Sequence, residues 1–242
     1  MGALVATDLK VLLRSAEFLV VTLLMPIGFF LIFADIFGDA NAGSLDMATY
    51  MMISMAAFGA ISAALTTGAR VSLERREGWN RQLRLTPLPG WSYVASKAIV
   101  AMLVILPVIA LVLLVGMLVK GVELSAAEWL QLLAVSWLCS LPFAFLGLLV
   151  GMSVSPDAAS AISVTAFIGF AVLGGLFMPV DVLPSAMQGL AELLPSFWLG
   201  ENARLQLSGG AFEPLGLVVM AAWLVLAAGA VLVLYRRDAR RF

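Results

Sequence analysis

Residues 73–91 read LERREGWNRQLRLTPLPGW. Within them Glu74, Arg75, Arg76, Glu77, Arg81 and Arg84 set charges of both signs beside Trp79 and Leu83. The chain around them is 62% hydrophobic and only 12% charged. At the centre of a membrane helix each such charge costs roughly 2.5–3.5 kcal/mol. The six together would cost on the order of 15–20 kcal/mol at that depth. The stretch therefore lies in water or at a headgroup surface. The chemistry open to it is recognition. Charges can set the register of a contact with a soluble partner, and Trp79 and Leu83 share a face of a short helix as apolar anchors. A solvated charged loop is the plainer reading of the same composition.

Other chemistry is excluded by residue type. The chain has no histidine, which removes His-based metal sites, Ser-His-Asp triads and HExxH helices. Its one cysteine, Cys139, can form no intrachain disulfide and lies in an apolar run. No phosphate-binding GxxxxGKS/T loop occurs, so no nucleotide or other cofactor is expected on this chain. A net charge of −1 offers no basic surface for nucleic acid.

These residues must be positioned by membrane-spanning elements. Mean hydropathy is +1.06, and a soluble domain would carry about 25% charged residues. Apolar runs of about 20 residues predict an all-α integral membrane protein with six spans, at about 18–37, 48–70, 92–119, 129–153, 159–179 and 214–235. Pro26, Pro107 and Pro142 fall inside the runs and predict kinks that shape packing. Ala40-Asn41-Ala42 resembles a signal-peptidase site, but the run from Phe18 to Phe37 is longer than a signal peptide's apolar core. A retained first span is expected.

Basic residues set the orientation. Lys10 and Arg14, then Arg70 through Lys97, then Arg236 to Arg241 all fall on one side of an even number of spans. Both termini and residues 71–91 are therefore expected in the cytoplasm. Before the first span, Val5, Leu9, Leu12, Leu13 and Ala16 line one helical face, with Lys10, Arg14 and Glu17 opposite. That pattern suits an amphipathic elbow helix in the membrane interface, or a cytoplasmic extension of the first span. Between the fifth and sixth runs, Leu190, Leu193, Leu194, Phe197, Trp198 and Leu199 are too apolar for an exposed loop, and Pro184, Pro195 and Gly200 interrupt them too often for a span. An outer re-entrant helical hairpin fits both facts, with a simple aromatic interface anchor as the alternative.

The span centres carry no ionisable residue. Glu17, Asp35, Arg70 and Lys97 read as end-of-helix groups reaching the interface. Ion coupling inside the chain is therefore not expected, and energy for uphill transport must come from outside it.

The order of parts resembles the membrane subunit of ABC-2 type exporters, over nearly the whole chain. LERREGWNRQLRLTPLPGWSYVASK is similar to that family's loop before the third span. GGLFMPVDVLPSAMQGLAELLPSFWLGENARLQLSGG is similar to its pattern after the fifth, except that Leu194-Pro195 stands where many members have Asn-Pro. The resemblance implies a separate ABC ATPase subunit holding ATP and Mg, and a second permease copy, the same or related, in the plasma membrane lipid. It implies ATPase coupling through Glu74, Arg75, Arg76, Glu77, Trp79, Arg81 and Leu83, and an outer lid containing Leu190, Leu194, Phe197 and Trp198. It also implies a pathway between two copies along the second and fifth spans, where Gly59, Ser62, Gly169 and Gly174 are candidates. The same small residues suit ordinary packing. A non-transporting assembly or immunity module is the competing reading. A membrane-embedded enzyme is disfavoured by the missing catalytic constellations.

Orientation has a direct test. In a chain lacking Cys139, a cysteine at Gly210 should react with a membrane-impermeant thiol reagent on intact cells. One at Gly78 should react only after permeabilisation. Labelling of Gly78 in sealed cells reverses the topology.

Overall fold

A computed structural model of the chain describes residues 2–15, 20–37, 41–42, 45–78, 91–182 and 184–240. The helices are α1 (Gly2–Leu13), α2 (Met25–Phe37), α3 (Met47–Arg76), α4 (Trp91–Val119), α5 (Ala126–Cys139), α6 (Leu141–Ser153), α7 (Pro156–Leu173), α8 (Ser185–Ala191), α9 (Pro195–Leu207) and α10 (Pro214–Arg240). A two-residue antiparallel ladder pairs β1 (Asn41–Ala42) with β2 (Leu45–Asp46) ahead of α3. Among the described residues, five helical stretches are long and apolar enough to cross a membrane: Met47–Arg76, Ser92–Val119, Ala126–Ser153, Pro156–Leu173 and Pro214–Arg237. A shorter apolar helix covers Thr22–Phe37. The protein is thus an all-α multi-pass membrane protein. Of the first expected span, residues 18 and 19 lie outside the described residues.

Proline and cap chemistry set the helix boundaries. The π-helical turn Val20–Leu24 precedes Pro26. A proline there has no N–H for the carbonyl four residues back, and a wider turn keeps its ring clear of that carbonyl. Asp46 caps α3 by accepting a bond from the Thr49 N–H at 3.0 Å. Ser125 and Glu128 form a reciprocal capping box at α5. Pro142, Pro156 and Pro195 each sit in the first turn of a helix, where the missing N–H is harmless.

Three expected boundaries move for these reasons. The second span runs on to Arg76 instead of stopping at residue 70, because charged side chains at a helix end do not interrupt its backbone bonds. The fourth run, expected at 129–153, is one stretch from Ala126 to Ser153 whose helix is interrupted for a single residue at Ser140, with Pro142 in the first turn of α6. The fifth ends at Leu173, not 179, because Gly174 caps α7 and Gly175 turns the chain at φ +69°.

α3 is the axis of the fold. Every residue from Met47 to Ser72 is buried except Ala48, Thr66 and Arg70. α2, α4, α6, α7 and α9 all pack on it, and α10 packs on α6. The closest approach is to α6. A methyl carbon added at Gly68 would collide with the Gly147 backbone, one at Gly147 with the Ala64 carbonyl, and one at Gly151 with the Gly68 carbonyl. Near the start of α3 an aromatic cluster joins four segments. Phe58 meets Phe167 edge-on at 5.5 Å, and Phe177 lies 5.9 Å from Phe29 and 5.5 Å from Phe58. By contrast α7 exposes Ile162, Val164, Ile168 and Val172, and α10 exposes Leu217, Val218, Val225 and Leu226.

The crossing predicts a sharp contrast. Gly151→Val should overpack the α3–α6 contact and destabilise by about 2–3 kcal/mol, read as a lowered melting midpoint in detergent. Gly169→Val, where nothing lies within 4 Å of the added carbon, should stay within about 0.5 kcal/mol of the parent. Equal melting of both variants would remove the special role of the crossing.

Candidate functional site

Polar side chains gather at both ends of α3. At the Arg76 end, Lys97 of α4 is 5% exposed, although an interface-reaching role was expected for it. Its ammonium lies 2.7 Å from Asp8 of α1 and 2.6 Å from Glu74 of α3. The Tyr93 hydroxyl donates to the second Glu74 oxygen at 3.2 Å. A lysine held by two carboxylates has no need to reach for water, which corrects the interface reading. The neighbouring Arg75 turns toward α6 and donates to the carbonyls of Gly151, at 3.4 Å, and Met152. A cation at a helix C-terminus suits the negative end of its dipole. Tyr93 also stacks near Tyr235 of α10, with centroids 6.4 Å apart.

The coupling residues named from sequence therefore divide. Glu74 and Arg75 bond inward, tying α3 to α1, α4 and α6. Arg76 and Glu77 are exposed. Trp79, Arg81 and Leu83 lie outside the described residues. On α1, Val5 and Leu9 pack against the core and Lys10 is exposed, as is Arg14 just past the helix; the side chains of Leu12 and Leu13, and residues 16 and 17, lie outside the described residues.

At the Met47 end, Arg204 of α9 is buried, a feature the sequence reading missed. Its Nε and terminal nitrogen both reach Glu201 at 3.0 Å, and another nitrogen donates to Ser54 at 3.3 Å. Its guanidinium lies 4.5 Å over the Tyr50 ring, and the Tyr50 hydroxyl donates to the Gly175 carbonyl at 3.2 Å. The spacing of Glu201 and Arg204 was a usable sequence signal for an ion pair. These groups border a cavity of about 800 Å3 whose other walls include Phe33, Phe37, Met51, Phe177 and Asp181.

α9 is pinned beside that cavity. Trp198 is buried, its ring covers Gly216, and its indole N–H donates to the Glu192 carbonyl at 2.7 Å. Phe197 meets it edge-on at 5.0 Å and is half-buried. Leu194 is half-buried and Leu190 exposed. Among the pathway candidates, Gly59 packs against Val108 and Pro26, and Ser62 is buried with its hydroxyl on the Gly59 carbonyl. Gly174 lies against Ser196, and Gly169 borders open space. Among the described residues no group of three or more His, Cys, Asp or Glu side chains could hold a metal.

The chain is an all-α membrane body with charged clusters at the two ends of α3. The model of the ABC-2 type transporter family matches residues 1–207, and the chain belongs to that family. It is 29% identical over 222 residues, 90% of each chain, to a Bacillus subtilis (strain 168) protein named "Putative transport permease YvfS". The chain is a non-catalytic permease subunit, and the place of such multi-pass subunits in bacteria is the inner membrane. Permeases of this family generally partner with a separate ABC ATPase subunit.

The Lys97 cluster can be tested by breaking it in two ways. Lys97→Met strands two carboxylates and should cost about 3 kcal/mol of stability, seen as a lowered melting midpoint. Adding Asp8→Asn and Glu74→Gln removes those charges and should recover most of the loss. A Lys97→Met protein that melts with the parent would make the cluster an ordinary surface pair.

Proposed function

We propose that this chain is the permease half of an ATP-driven exporter that moves an amphipathic substrate, drug-like or lipid-like, across the cytoplasmic membrane. The observation that carries the reading is the double use of the charged stretch. Its first residues, Glu74 and Arg75, are bonded to Lys97 of α4 and to the end of α6, and Lys97 in turn holds Asp8 of α1. Its next, Arg76 and Glu77, face outward. The chain has no nucleotide motif of its own. A partner that pushes on this stretch would push on four helices together.

In this reading the apolar helix Thr22–Phe37 completes six spans, and both termini face the cytoplasm. α1 is the elbow, and the stretch 73–86 is the coupling segment, whose part beyond Arg75 is the one offered to a groove of the ATPase. α8 and α9 form the outer hairpin, with Leu190, Leu194 and Phe197 on its lid surface and Trp198 as its root. Two permease copies in lipid face each other, and the pathway runs between them along the open face of α7 that includes Gly169. Gly59 and Ser62 belong to the packing inside α3, the second span, and Gly174 ends the fifth against Ser196. The exposed apolar side chains of α7 and α10 suit lipid and a second copy.

The coupling helix is the part to test. Charges set register and an aromatic side chain supplies an anchor, whose removal costs about 2 kcal/mol, roughly thirtyfold in affinity. Trp79→Ala, or charge reversal at both Glu77 and Arg81, should weaken ATPase co-purification and abolish efflux with insertion unchanged. Normal ATPase binding and parental efflux in those variants would reduce residues 77–86 to a solvated turn.

A further inference from the structure

The cavity at the Met47 end has a definite chemical character. Its volume of about 800 Å3 lies in the range of small-molecule sites, about 300–1,000 Å3. Phe33, Phe37 and Phe177 supply aromatic walls, beside Tyr50, whose ring Arg204 already covers. Ring faces attract cations, and the protein already uses this: Arg204 sits 4.5 Å over Tyr50.

The charges of the lining do not cancel. Arg204 is the cation of that lining, and its donors are directed to Glu201 at 3.0 Å and to Ser54 at 3.3 Å. Glu201 therefore neutralises it. Asp181 remains, exposed at the mouth, and among the described residues it makes no ion pair. Nearby, Asp35 is paired with Lys120, and Asp46 is committed to capping α3. An anionic occupant would find the guanidinium engaged and Asp181 repelling it. A neutral apolar occupant would leave the exposed Asp181 carboxylate to water and gain nothing from it. A cation with an apolar body satisfies both the carboxylate and the rings.

We propose that this cavity binds a lipophilic organic cation, one whose aromatic or aliphatic groups surround a single positive charge. Within the export reading, on which this use rests, the cavity holds substrate inside one chain at the outer end of α3, under α9. Binding itself needs no ATPase and can be measured without one.

Two ions of the same shape and opposite charge separate the chemistry. Equilibrium dialysis of tetraphenylphosphonium and tetraphenylborate against the purified chain in phosphatidylcholine nanodiscs gives the comparison. Tetraphenylphosphonium should bind saturably, at one per chain, above the uptake of empty nanodiscs, while tetraphenylborate only partitions linearly. Asp181→Asn should weaken tetraphenylphosphonium by about tenfold, and Asp157→Asn, at the far end of α7, should leave it unchanged. Linear uptake of both ions, equal saturable binding of both, or an Asp181→Asn affinity equal to the parent's would each overturn the site. ATPase co-purification of the same variants reports separately. Retained co-purification with failed cation binding removes the cavity proposal alone, and lost co-purification of the parent chain removes the export reading alone.

Discussion

The crossing of α3 and α6 at Gly68, Gly147 and Gly151 is the contact on which the other helices depend. In a membrane, lipid tails are as apolar as leucine, so burying a leucine between helices gains little over leaving it in lipid. What holds helices together is close backbone approach and the dispersion contacts that follow from it. Glycines on both helices permit that approach, and an added methyl would meet backbone, which cannot rotate away. With α6 seated there, α2, α4, α7 and α9 surround the rest of α3. The hydroxyls on this axis then lie in a dry interior and need local partners. Ser62 and Ser72 donate to carbonyls one turn back, at 3.0 and 2.6 Å, and Ser163 reaches across from α7 to the Leu65 carbonyl at 3.3 Å.

A helix buried on every side is fixed against rotation but has to end somewhere, and both ends of α3 are tied by charge. At one end Lys97 bridges Asp8 and Glu74. At the other, Arg204 is held by Glu201, Ser54 and the Tyr50 ring. A buried cation left alone would be costly, so each cluster is strong only while complete. Completeness requires that the contributing helices keep their relative positions. The ion clusters therefore act as alignment devices: they specify which segment sits beside α3 more than they add net stability.

Much of this was legible in the sequence. Apolar run length gave the long helices, because a segment that must satisfy its backbone bonds in lipid has few other solutions. Pro142, Pro156 and Pro195 stand in first turns and Gly174-Gly175 at a helix end, but the sequence reading took Pro142 for a kink and carried the fifth span past the two glycines to 179. The partners of the buried charges were not legible. Asp8 lies 89 residues from Lys97, and Ser54 lies 150 from Arg204. No local pattern encodes such pairs, so Lys97 was given the default role of an interface residue and the burial of Arg204 went unread. The division of the coupling stretch was hidden for a similar reason. Glu74 and Arg75 differ from Arg76 and Glu77 only in the direction each leaves α3, and that direction depends on where α4 and α6 lie. The burial of Gly59 and Ser62 is equally tertiary, since small residues suit a pathway wall and a tight crossing alike.

The distribution of tight and open faces also decides which parts can move together. α3 and α6 interlock through glycine backbone, so sliding one past the other would drive carbonyls into Cα atoms. Arg75 fastens the same pair again, from the end of α3 to the last carbonyls of α6. α7 meets α3 through side chains such as Phe167 and Ser163 and leaves much of its apolar surface open. Side-chain contacts can be exchanged for similar ones after a small shift, whereas backbone contacts cannot. A displacement entering at residues 74–77 would therefore carry α3 and α6 as one body, with Lys97 drawing α4 and α1 along. The compliant boundary would be the one with α7. On the export reading that is the boundary beside the proposed pathway, and the same movement would reach the outer cavity through Tyr50, which lies at the far end of the same rigid helix.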